Sequence, residues 1–109
     1  AEGWGMRRDL DAGLRSLTSA ADAGVGPAMH ALGMYYVNVK RQPQQARHWF
    51  GRAAALGQPE DQYNLGLMEW RGEASPRLDR AHAMELWKQA AAKGEQRAVR
   101  AVALRRPPN

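Results

Sequence analysis

Apolar residues recur at three- and four-residue spacing across four segments of this chain, 27–39, 43–56, 59–71 and 79–93. That spacing gathers them on one side of an α-helix and predicts four helices. Sustained alternation of apolar and polar positions is absent and β-branched residues are few, so no strand is predicted. Weaker helical patterns precede and follow, across 6–23 and 96–105. The punctuation agrees with these limits. Gly57 and Gly94 stand where helices end, because glycine enters the left-handed region without steric cost. Pro27 and Pro59 stand where helices begin, since a first-turn residue has no intrahelical N–H bond to lose. The tail Arg105–Asn109 is expected to fray. The predicted fold class is all-α, with about six helices.

The helices repeat. Ala28-Met29-His30-Ala31-Leu32-Gly33-Met34-Tyr35-Tyr36 aligns with Asp61-Gln62-Tyr63-Asn64-Leu65-Gly66-Leu67-Met68-Glu69, 33 residues later. Ala46-Arg47-His48-Trp49-Phe50-Gly51-Arg52-Ala53-Ala54-Ala55-Leu56-Gly57 aligns with Ala83–Gly94 at a distance of 37, so the second unit has a longer middle loop around Gly72 to Arg77. A half copy, Ala20–Gly24, precedes Ala53–Gly57 by 33 residues, and Ala98, Val102, Ala103 and Leu104 echo Asp61, Leu65, Gly66 and Leu67. The organisation predicted is a half unit (1–24), two whole units (25–57 and 58–94), and a second half unit with its tail (95–109).

Helix pairs this short cannot bury their apolar stripes alone, so neighbours must stack into one continuous core. The expected architecture is an α-α superhelix, a solenoid of antiparallel helix pairs. Gly33 and Gly66 fall in mid-helix, where glycine costs about 1 kcal/mol relative to alanine. A close approach there, by Ala53-Ala54 or Ala90-Ala91, is expected to compensate. Trp49, Phe50 and Trp87 are expected to supply most of the buried area between units.

Leu-Gly followed by an aromatic residue, then Ala-x-x-Trp-x-x-x-Ala-Ala-x-x-Gly, resembles the Sel1-like repeat, a relative of the tetratricopeptide repeat. Ala46, Trp49, Ala53, Ala54 and Gly57 match the second half of that motif, as do Ala83, Ala90, Ala91 and Gly94, with Leu86-Trp87 at the aromatic position. Leu32, Gly33 and Tyr36 match the first half, as do Leu65, Gly66 and Gly72. Three departures stand out: Glu69 for the family's Tyr, Val39 for its loop Gly, and Gln42 for an acidic residue that Asp79 retains. The resemblance covers residues 24–94 well. It implies a bacterial adaptor that holds a peptide or protein segment on the inner, concave wall of the array, and many such proteins act outside the cytoplasm.

Helical phase selects the residues of that wall. Each residue turns by about 100° about its helix axis. With Leu32 taken as the core direction, His30, Met34, Val37 and Arg41 fall on the opposite side. The equivalent positions are Tyr63, Leu67 and Trp70 in the second unit, and Arg100 and Leu104 in the trailing half unit. Tyr63, Trp70 and the arginines are residue types common among binding hot spots. Met34 and Leu67 can serve a core equally well, and His30 can be an ordinary surface histidine.

Composition narrows the chemistry. The 109 residues carry 16 Lys+Arg against 11 Asp+Glu, a formal net charge of +5, with no Cys. There is therefore no thiol nucleophile and no cysteine-ligated metal. His30, His48 and His82 form no His-Glu-x-x-His or other metal-ligand spacing. Gly24-Val25-Gly26 lacks the third glycine of a dinucleotide fingerprint, and Ser16, Ser19 and Ser75 sit in no nucleophile elbow. Glu60-Asp61 follows Pro59 at a helix start, where negative charge suits the dipole and a capping role is expected. No catalysis, cofactor or metal is expected. No run approaches the roughly 20 apolar residues of a membrane span.

Arg71, Arg77 and Arg80 cluster around the longer loop, and Arg97, Arg100, Arg105 and Arg106 near the end. They offer a polyanion-binding alternative, although no nucleic-acid module is visible. The leading expectation is a monomeric protein-interaction module, with a partner-neutralising role such as an immunity protein or inhibitor as the alternative. The sequence opens Ala1-Glu2-Gly3, compatible with a processed N-terminus and a periplasmic or secreted home.

Overall fold

A computed structural model describes residues 2–73 and 79–108, with side chains from Leu10 onward. Six helices follow one another: α1 (Glu2–Asp22), α2 (Gly26–Asn38), α3 (Pro43–Ala55), α4 (Pro59–Arg71), α5 (Arg80–Ala92) and α6 (Gln96–Leu104). Among the described residues there is no strand. Five of the six lie within one residue of the boundaries expected from the pattern. Helix α1 starts earlier than expected, at Glu2, through Gly3 and Gly5, which are poor helix formers and hide the start in the sequence. Most of the longer middle loop, with Ser75 and Arg77, lies outside the described residues.

Local chemistry fixes the helix ends. Pro27, Pro43 and Pro59 occupy the first turns of α2, α3 and α4. Helix α5 is capped differently: the Asp79 carboxylate accepts a bond from the His82 backbone N–H at 3.0 Å. Gly57 and Gly94 take φ of +89° and +91°, as expected after α3 and α5. The turn from α2 to α3 makes its reversal without glycine. Val39 keeps a right-handed backbone, and Arg41 two residues on takes φ +52°.

Each helix packs chiefly on the next along the chain, so the molecule is long and narrow, 52 × 24 × 22 Å. Its radius of gyration, 15.2 Å, exceeds the roughly 13 Å of a globular domain of this length. The core is divided accordingly into three successive clusters. Ala21, Ala28, Met29, Leu32, Trp49 and Ala53 join α1, α2 and α3. Ala46, Phe50, Ala54, Leu65, Met68 and Leu86 join α3, α4 and α5. Tyr63, Trp87, Ala90, Ala98 and Ala101 join α4, α5 and α6.

The two mid-helix glycines account for the pairing inside each repeat. Gly33 is covered by the Phe50 ring and Gly66 by the Trp87 indole, so closely that an added Cβ at Gly66 would lie 2.5 Å from Trp87 Nε1. The expected partners, Ala53-Ala54 and Ala90-Ala91, are not the groups that fill these notches. A small–small contact would bring the backbones close. A ring seated in a notch buries more apolar area and also fixes the axial register of the two helices. Trp87 Nε1–H further donates to the Tyr63 carbonyl at 3.2 Å.

Polar side chains tie one repeat to the one before it. Arg52 donates to the Ala21 carbonyl at 3.4 Å, Gln58 to the Gly26 carbonyl at 3.2 Å, and Lys93 to the Gly57 carbonyl at 2.5 Å. Ala21 and Gly57 lie at or just beyond helix C-termini, where carbonyls lack intrahelical donors, while Gly26 opens α2.

Substituting Ala for Gly33 or Gly66 is expected to lower stability by about 1–3 kcal/mol through overpacking. Gly51 is also helical but faces open space, and Gly51→Ala is expected to raise stability by about 0.5–1 kcal/mol. Thermal melts of the three variants check the contrast; equal shifts at all three sites would contradict the notch.

Candidate functional site

Helices α2, α4 and α6 occupy equivalent places in successive repeats, so their matching positions form rows. His30, Tyr63 and Arg100 make one row; Met34, Leu67 and Leu104 make the next; Val37 and Trp70 make a third. Met34 (38% exposed), Val37 (40%) and Leu104 (47%) present apolar surface to solvent. Leu67 and Trp70 are half-buried against the cluster around Trp87. Trp70 lies 5.2 Å from Trp87, and the Arg80 guanidinium sits 4.5 Å above its ring. Arg100 is exposed. Val37 and Arg41 also line a small groove of about 270 Å³ with Pro43, Met68 and Glu73.

Tyr63 departs from its expected place. It is only 4% exposed, packed among Trp87, Ala98 and Ala101, with the Arg97 guanidinium 4.6 Å over its ring. Its side chain is a core element of the α4–α6 contact and offers no free face to a partner. The reason lies in the stack: at this position of α4 the side chain meets α6, which covers it. His30, in the same row, reaches Asp61 and Glu60 on α4. Burial pushes the Tyr63 phenol up, against the opposing pull of Arg97, Arg71 and Arg100.

Two buried carboxylates on α4 were not singled out as joints by the sequence. Asp61 is 1% exposed and accepts from Gln58 Nε2 at 2.8 Å, while His30 Nδ1 lies 2.7 Å from its other oxygen. Glu60 and Asp61 lie in the first turn of α4, as expected, but neither caps the helix: Gln58 is the N-cap residue and makes no side-chain cap bond, and Asp61 turns sideways toward α2. Glu60 Oε2 lies 3.4 Å from His30 Nε2, so His30 is a bonded interhelical residue rather than an ordinary surface histidine. Burial pushes the Asp61 carboxyl up, against the opposing influence of His30 and Gln58. Glu69, 4% exposed, pairs with His82 Nδ1 of α5 and with Arg47 Nη2 of α3 at 3.2 Å.

The signal for both was present in the sequence. Asp61 replaces the small Ala28 and Ala98 of the other units, and Glu69 replaces Tyr36. A charge at a position the repeat reserves for the core needs a partner, and the histidines 31 residues before Asp61 and 13 after Glu69 supply it. Among the described residues, no group of three or more His, Asp or Glu side chains is placed to hold a metal ion. None of the described helices is long and apolar enough to cross a membrane.

A second concavity lies between α3 and α5. Two grooves, of about 480 and 360 Å³, share Gly51, Ala55 and Leu65. Sequence reasoning missed it because it arises where the small side chains of α3 face His82, Leu86 and Gln89 of α5, a helix not adjacent in the chain.

Paired antiparallel helices in register, each notched by glycine and stacked on the next, define an α-solenoid of helical-hairpin repeats. The chain belongs to the Sel1 repeat family: the family's sequence model matches residues 1–25, 26–58 and 59–95. The crystal structure of a Sel1 repeat protein from Oxalobacter formigenes is similar, with a TM-score of 0.79 and 32% sequence identity over 85% of this chain and 71% of that one. Sel1 repeats generally serve as protein–protein interaction modules, and proteins built from them are typically non-enzymatic scaffolds.

The buried Asp61 gives a pH test. Its folded pKa is raised, so the carboxylate form is disfavoured in the fold, and the stability linked to it is greatest at low pH and lost as pH rises through that value. Asp61→Asn, which keeps an acceptor for Gln58, is expected to melt higher than the parent at neutral pH. The difference should shrink as pH falls through the Asp61 titration. Melting curves across that range check it; a difference that grows toward acid would contradict the sign.

Proposed function

We propose that this chain is a non-enzymatic interaction module that holds a protein or peptide segment on the face shared by α2, α4 and α6. One observation carries this reading: apolar side chains stay partly or well exposed at repeat-equivalent places on that face, namely Met34, Val37, Leu67, Trp70 and Leu104. A solvated helix face has no need of five such residues in rows, whereas a binding surface uses them as anchors. Of the residues expected from sequence, Met34, Val37, Leu67, Trp70 and Arg100 belong to this surface. His30 borders it, beside a groove of about 310 Å³ with Pro27, Gln58 and Glu60. Tyr63 supports it from beneath.

The titratable groups that burial brings together join helices: Asp61 with His30, and Glu69 with His82 and Arg47. Their bonds are used within the fold, which favours a scaffold over a catalyst. Scaffold and partner-neutralising roles draw on the same surface, and the identity of the captured protein separates them.

The double variant Met34→Asp/Val37→Asp changes two exposed side chains and is expected to keep its helicity. It should lose a partner captured from the native host by the parent chain, with affinity lowered at least about tenfold, as for removal of anchor residues. Quantitative comparison of the captured proteins, alongside circular dichroism, checks this. Equal capture by both chains would remove the face from the site.

A further inference from the structure

Resting on the surface proposed above, we infer that the segment it holds is acidic: a stretch of protein in which Asp or Glu residues flank aliphatic or aromatic anchors. The charge is concentrated on the second half of the face. Arg71 closes α4, Arg80 opens α5, and Arg97 and Arg100 lie on α6; all four are exposed. The Arg97 guanidinium lies 4.6 Å over the Tyr63 ring, and Arg71 and Arg100 add positive charge in its neighbourhood. Among the described residues only Arg97 of these four has an ion-pair partner, Glu95 at 3.1 Å. Glu60 of α4 is engaged with His30, and Glu69 with His82 and Arg47. Arg71, Arg80 and Arg100 therefore border the apolar rows with no ion-pair partner among the described residues.

The arrangement suits carboxylates. Arg80 lies over Trp70 with no ion-pair partner among the described residues, whereas Arg97, over Tyr63, already gives its fork to Glu95. A guanidinium stacked on a ring keeps its in-plane N–H donors directed outward, and that fork matches a carboxylate in two parallel bonds. Stacking also fixes part of the side chain in advance, reducing the entropy lost on binding. Leu67 and Trp70 sit on the same helix as Arg71, so anchors and charges alternate within a short distance. An occupant needs both kinds of group.

A nucleic acid fits less well. Single strands bind by stacking bases on open aromatic faces, and here the ring of Trp70 is taken up by Arg80 and Trp87, that of Tyr63 by Arg97. The remaining exposed surface on these rows is aliphatic, from Met34, Val37 and Leu104, which suits the side chains of a protein.

Selection of short random peptides on the full chain at low ionic strength tests the inference, with counter-selection on Met34→Asp/Val37→Asp. The expected survivors carry net negative charge and at least one aliphatic or aromatic residue. A synthesised survivor should weaken about tenfold or more against Arg71→Glu/Arg100→Glu, and weaken with added salt, as rim charges do. Survivors that are neutral or basic, or an affinity unmoved by the arginine reversal, would overturn the acidic preference while leaving the surface in place. Peptides that bind both chains equally would overturn the surface itself. An oligothymidylate that binds as tightly as the acidic peptide would overturn the inference in favour of a general polyanion site.

Discussion

An aromatic ring seated in a glycine notch is the contact on which the rest of the array depends. Phe50 over Gly33 and Trp87 over Gly66 set both the separation and the axial register of the two helices in each repeat. Those two rings are among the most buried large side chains of the molecule. Because glycine costs helix stability in isolation, the notch makes sense only when the ring fills it. The helix pair and its packing are thus a single unit of stability. The ring also reaches beyond its own repeat, Phe50 toward Leu65 and Met68, Trp87 toward Ala98 and Ala101. One residue type at one position therefore shapes the hairpin and supplies the surface on which the next hairpin stacks.

Apolar stacking alone would leave the relative placement of successive repeats loosely specified, since non-directional contacts tolerate sliding. The directional element here is polar. Arg52, Gln58 and Lys93 each reach back to a carbonyl of the preceding unit, and α4 carries two buried carboxylates that bind histidines on α2 and α5. Burying Asp61 and Glu69 is costly unless each is paired, and the pairing fails if the helices shift. The raised pKa of Asp61 shows that the compensation at that site is incomplete. At the centre of the array, apolar area gives way to directional bonds that hold α2, α4 and α5 in one arrangement.

The sequence made the architecture legible because its strongest marks are local. Leu-Gly, Ala-Ala and the closing glycines repeat in register, and the prolines open helices α2 and α4 where expected. Tyr63 was harder. A helical wheel gives the angle of a side chain about its own axis, but it does not say whether that direction meets solvent or the next helix in the stack. Tyr63, opposite Leu65's neighbours in the pattern, meets α6. The partners of Gly33 and Gly66 were misjudged for a related reason, since register between two helices is not encoded in either one. Asp61 and Glu69 broke the repeat at core positions, and breaks of that kind are where sequence carries information about joints.

The row formed by His30, Tyr63 and Arg100 shows how one geometric position takes three chemical solutions. In the first unit the next helix presents Asp61 and Glu60, and histidine answers them with both ring nitrogens. In the second unit the next helix presents Ala98 and Ala101 beneath Arg97, and tyrosine fills the apolar space while its ring receives the cation. On α6, the last described helix, the position carries Arg100, exposed and without an ion pair among the described residues. The positive charge near Tyr63 is therefore not spread evenly along the array. It collects where the joint chemistry changes from carboxylate–histidine to ring–guanidinium, and it lies beside Leu67 and Trp70 on α4. The same substitutions that fasten one repeat to the next thereby place more of the positive charge at the α4–α6 end of the face than at the α2 end, where Arg41 borders Val37.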